Sequence, residues 1–61
     1  MYPDLAVMLS MLHGSIGLIY FNQEENEKAY NYLNQAIAFD DTTLSNWVNL
    51  AFLNLRIWRI D

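Results

Sequence analysis

His13-Gly14-Ser15-Ile16-Gly17-Leu18-Ile19-Tyr20-Phe21 and Trp47-Val48-Asn49-Leu50-Ala51-Phe52-Leu53-Asn54-Leu55 lie 34 residues apart and read as two versions of one helix. No residue is identical between them, but size class is kept: Ile16 faces Leu50, Gly17 faces Ala51, Leu18 faces Phe52, Ile19 faces Leu53 and Phe21 faces Leu55. A fixed period of this length is the mark of a repeated helical unit. Nothing competes with it. No sustained period-2 alternation and no Asn-Gly or Asp-Gly pair marks a strand or hairpin.

Working outward, Pro3-Asp4 suits the start of a first helix, because proline fits a first turn and an acid there complements the positive end of the helix dipole. That helix is expected over about 4–22. The polar run Asn22-Gln23-Glu24-Glu25-Asn26 marks a turn. A second helix over 26–39 carries Ala29, Leu33, Ala36 and Ile37 at i, i+4, i+7 and i+8, one apolar stripe. Asp40-Asp41-Thr42-Thr43 makes a second break, with Thr42 or Thr43 expected to cap a third helix over 44–60. Three helices joined by short polar turns imply antiparallel neighbours.

The residues Trp47-x-x-Leu50-Ala51, and before them His13-x-x-Ile16-Gly17-x-x-Tyr20 followed by Ala29-x-x-x-Leu33 and Ala36, resemble the tetratricopeptide repeat, whose pattern is W-x-x-L-G-x-x-Y, then A-x-x-x-F, at the same period. The resemblance spans about residues 10–61: one repeat and the first helix of another. The residues ahead of Ser10 read as an extension of the first helix. The implied fold is all-α, a tetratricopeptide-like helix-turn-helix with an extra C-terminal helix, of the α-α superhelix type. Small residues at Gly17, Ala29, Ala36 and Ala51 are expected to let helices approach, with Tyr20, Leu33 and Trp47 filling the wedges. The chain departs from the pattern at His13, Asn54 and Asp41, where tryptophan, tyrosine and proline are usual, and at Glu24, where a glycine often sits in the turn.

Composition narrows the function. The chain has 61 residues, 54% of them hydrophobic and 16% charged, against a usual ~25% charged. A domain this small buries only ~60% of its unfolded surface, so a surplus of apolar side chains belongs on an interface. With no cysteine and one histidine, neither a disulfide nor a structural zinc site is expected. The net charge of −4 argues against nucleic acid. The acids Glu24, Glu25, Glu27, Asp40 and Asp41 read as solvated turns and helix starts, with Arg56 and Arg59 of a neighbour as the alternative destination.

Residues 5–21 carry no formal charge but hold Ser10, His13, Gly14, Ser15 and Gly17, and lack the basic flank of a leader or spanning helix. Membrane association is therefore the third reading, behind two kinds of protein contact, and a cytoplasmic location is expected. His13 is expected to sit between two helices as a satisfied histidine, and the two tryptophans to serve as packing or interface anchors.

No nucleophile, glycine-rich phosphate loop or His-x-x-x-His supports catalysis, and no cofactor is expected. By the resemblance, the first helix of each repeat lines a concave face that holds a partner. Carried over by position, that face comprises Met11, Gly14, Leu18 and Phe21, then Ser45, Val48, Phe52 and Leu55. The family's basic clamp for acidic peptide ends is excluded, since Gly14 and Leu18 stand where it needs lysine and asparagine and only Asn49 matches. The third helix is apolar around most of its girth, from Trp47, Leu50, Ala51, Leu53 and Trp58 to Val48, Phe52, Leu55 and Ile57. Two companion helices cover only one side of it. The expected function is a protein-protein interaction module, an adaptor or assembly subunit, binding an apolar helix or segment through Met11, Leu18, Phe21, Val48, Asn49, Phe52, Leu55 and Trp58. The alternative is a homo-oligomer whose copies complete each other's repeats by helix exchange.

Overall fold

A computed structural model describes residues 4–58, and the expected end of the third helix at residue 60 lies outside them. Three helices account for the fold: α1 (Leu5–Asn22), α2 (Asn26–Phe39) and α3 (Leu44–Trp58). They run up, down and up, and no strand occurs among the described residues. Asp4 caps α1 through its carboxylate, which accepts from the Ala6 N–H at 2.9 Å. One otherwise unpaired N–H of the first turn is satisfied in this way.

The α1–α2 turn is built by tight hydrogen bonds at the end of α1. The Glu25 N–H donates to the Tyr20 carbonyl and the Glu24 N–H to the Phe21 carbonyl, which is the Schellman pairing. That motif puts one residue in the left-handed region, and here it is Glu24, with φ 60°. Glycine occupies such a position without steric cost; glutamate pays for its Cβ.

The second turn departs from expectation. The hydroxyls of Thr42 and Thr43 do not reach forward to cap α3 but donate back to the Asp40 carboxylate, at 2.7 and 3.4 Å. The Thr43 contribution to the start of α3 is its carbonyl, which accepts from the Asn46 N–H.

The core is small. Ala29, Leu33, Ala36 and Leu53 are the fully buried hydrophobics among the described residues, with Tyr20, Phe21, Leu50 and Ile57 packed partly against them. Gly17 is what lets α1 and α2 close. A Cβ built there would lie 2.9 Å from Leu33 Cγ and 3.3 Å from the Leu33 backbone nitrogen, so Leu33 fills the space that a side chain would take. Along the same seam, His13 lies against Phe39 and Tyr32, with ring centroids 4.9 and 6.0 Å away, and its Nδ1 is 2.8 Å from the Leu9 carbonyl oxygen. Tyr20 stacks on Tyr32 at 5.5 Å. The expected place of His13 between two helices is the observed one.

Ala51 and Trp47 do not follow the expectation. Ala51 is exposed and Trp47 is 46% exposed. Neither fills a wedge, because the wedge has only one wall: no described helix lies on that side of α3. Trp47 instead donates its indole N–H to the Asp41 carbonyl at 2.7 Å.

Candidate functional site

The distribution of size on α1 runs opposite to that of an ordinary soluble helix. Its buried residues are Ser10, Gly14 and Gly17. Its exposed ones include Leu5, Met8, Met11, Leu12, Leu18 and Ile19. The small residues face inward so that α2 and α3 can approach, and this forces the large ones outward.

The α1–α3 crossing is fixed by a polar pin. Asn46 of α3 is buried and donates from Nδ2 to the Ser10 hydroxyl at 3.0 Å; Ser10 is fully buried and donates in turn to the Asp40 carbonyl at 3.2 Å. A Cβ on Gly14 would meet the Asn46 side-chain oxygen far inside van der Waals distance. The pin therefore needs glycine at 14. It joins α1, α3 and the turn after α2, and no buried side-chain nitrogen or oxygen among the described residues is left without a partner. Composition and periodicity gave no sign of this pairing, since Ser10 and Asn46 are unremarkable residue types 36 positions apart.

At the other end, Arg56 closes the molecule. Its Nη2 donates to the Phe21 carbonyl at 2.7 Å, its Nε donates to Asn26 Oδ1 at 3.0 Å, and its guanidinium lies 3.9 Å from the centroid of the Phe21 ring. It thus supplies a cation at the C-terminal end of α1, whose last turn has no basic residue of its own. Arg56 is engaged within the chain rather than held out for a neighbour's acids; Arg59 lies outside the described residues.

Between α1 and α3, above the pin, an open cleft of about 310 Å³ remains. Met11, Ser15 and Leu18 form its α1 wall, Ser45 and Asn49 its α3 wall, and Gly14 and Asn46 its floor, with Thr43 at one end. Of the sequence-predicted partner residues, Met11, Leu18 and Asn49 line this cleft. Phe21 is drawn into the core beneath Arg56. Val48, Phe52, Leu55 and Trp58 are exposed but stand outside the cleft. The cleft thus has one apolar wall and one hydroxyl-and-amide wall, where a mostly apolar face was expected.

By length and composition, α1 is long and apolar enough to cross a membrane. Among the described residues, no group of three metal-ligating side chains gathers. Comparisons with protein-family models, with curated proteins and with solved structures give no match, so the tetratricopeptide resemblance rests on the residues and their spacing alone.

Proposed function

We propose that this chain is a small helical-repeat interaction module of tetratricopeptide type, which holds an apolar helix or segment of another protein in the α1–α3 cleft. The observation that carries this is the pairing of walls. Met11 and Leu18 on α1 offer apolar surface, while Ser45 and Asn49 on α3 offer hydrogen-bonding groups opposite. A cleft of this size is at the low end of binding pockets, suited to one or two side chains of a longer segment. Asn49 would meet the segment's polar edge.

A protein guest is favoured over a lipid surface for two reasons. The described residues carry acids over bases, which repels anionic headgroups. And α1 cannot leave α2 and α3 for a bilayer without exposing Leu33 and stranding the Asn46 amide.

The test is a displayed library of amphipathic peptides selected against the purified chain. Selected peptides should lose at least tenfold in affinity to the Leu18→Glu and Met11→Glu variants, with helical circular dichroism unchanged. Peptides that bind both variants as tightly as the parent overturn the reading. So does co-sedimentation of the folded chain with phosphatidylcholine vesicles in place of peptide binding.

A further inference from the structure

We propose that two copies of this chain pair through α3, antiparallel, about a two-fold axis at Ala51. The inference uses a face distinct from the cleft and stands apart from the functional reading above. At ~100° per residue, Leu44, Trp47, Val48, Ala51, Leu55 and Trp58 fall within an arc of ~100° on α3. Leu53, which is fully buried, points the opposite way, along with Asn46, Leu50 and Ile57. The arc is bare: Leu44 is 74% exposed, Leu55 58% and Trp58 80%.

The occupant is argued from the order of sizes along that arc. Ala51 lies seven residues from Leu44 and seven from Trp58. Trp47 and Leu55 lie four residues to either side of it. An antiparallel copy turned about Ala51 therefore sets Trp47 against the partner's Leu55, Leu44 against the partner's Trp58, and alanine against alanine. The four largest residues of the arc thus meet in large–large pairs, Val48 faces the partner's Asn54 at the edge of the seam, and the one small residue meets itself where the helix axes come closest. This self-complementarity is what a two-fold interface requires, since each surface must fit its own rotated image. A foreign helix imposes no such symmetry on the stripe.

Charge and area agree with the pairing. The arc holds no charged residue, and Arg56, the charged residue within described α3, is turned away onto Phe21 and Asn26. Two identical acidic chains can therefore meet here without apposing like charges in the seam. Buried aromatics contribute ~150–250 Å² each, so Trp47 and Trp58 at their observed exposures offer on the order of 300 Å² per copy. That is about half of the ~600 Å² per partner at which specific pairs begin, and Leu44, Val48 and Leu55 extend it.

Sedimentation equilibrium and single-cysteine cross-linking test the pairing. The parent chain should sediment at twice its 7.2 kDa mass. Ala51→Glu, which puts two carboxylates on the axis, should shift it to monomer with helical circular dichroism retained. Because the chain has no cysteine, Ala51→Cys should form an interchain disulfide under mild oxidation at least tenfold faster than Ser45→Cys. A monomeric parent at millimolar concentration overturns the proposal. So does a dimer that survives Ala51→Glu, or equal cross-linking at 51 and 45. Each of these outcomes leaves peptide binding in the cleft to be judged by the Leu18 and Met11 variants.

Discussion

The helix around Gly17 and the helix around Ala51 occupy equivalent places in the 34-residue period, yet one is covered and the other is not. On α1, the face bearing His13, Gly17 and Tyr20 is closed by α2: Leu33 sits on Gly17 and Tyr32 stacks on Tyr20. On α3, the matching face bears Trp47 and Ala51, and both are exposed. The same residue pattern thus produces a core in one place and a bare apolar face in the other. Pattern specifies which face is to be covered; a second helix must be there to cover it.

The sharpest way to break the comparison is to delete equal side chains on either side of it. Leu33→Ala removes a fully buried side chain and should cost ~2–5 kcal/mol. A 61-residue domain has roughly 3–9 kcal/mol of stability in all, so this variant should lose about half of it, read as a large drop in the urea midpoint at 25 °C. Leu55→Ala, on the bare face, should leave the monomer within ~0.5 kcal/mol of the parent, measured at a concentration below dimer formation. Equal losses at the two sites would erase the distinction between covered and uncovered faces.

A smaller effect sharpens the account of the α1–α3 crossing. Gly14→Ala drives a Cβ into the Asn46 amide, which must then abandon Ser10; the expected cost is ~1–3 kcal/mol. Asn46→Ala costs a similar amount alone. The double variant should be less destabilised than the two costs added, by ~1 kcal/mol or more, because removing the amide makes room for the new methyl. Strict additivity in chemical denaturation would show that glycine 14 and asparagine 46 do not act as a unit.

A change in the α1–α2 turn has the opposite sign. Glu24→Gly relieves a side chain held at φ 60° in the Schellman turn and should raise stability by ~0.5–1 kcal/mol, read as an increase in Tm. A lowered Tm would mean that the glutamate side chain contributes more than its strain costs.

Much of the helical layout is legible in the sequence. The polar runs at 22–26 and 40–43 set the two breaks, and the Ala29, Leu33, Ala36 stripe marked the buried face of α2. Even Glu24 carried a signal, through the glycine usual at its place in the pattern it resembles. The candidate site was legible only in part. Met11, Leu18 and Asn49 could be placed on one face by helical spacing, but the polar wall opposite them, and the withdrawal of Phe21 beneath Arg56, could not.

Local rules account for this division. Helix periodicity, turn chemistry and residue size are properties of neighbours in sequence, and they sufficed to determine three helices and the faces that need cover. The Ser10–Asn46 pin, the Arg56 clasp on the end of α1 and the bareness of Ala51 each depend on which helices meet, and at what crossing. Those are relations between segments 30 or more residues apart, settled by where Gly14 and Gly17 allow backbones to approach. Only the packed molecule decides them, because a hydrogen bond or a cavity exists between surfaces and not along a chain.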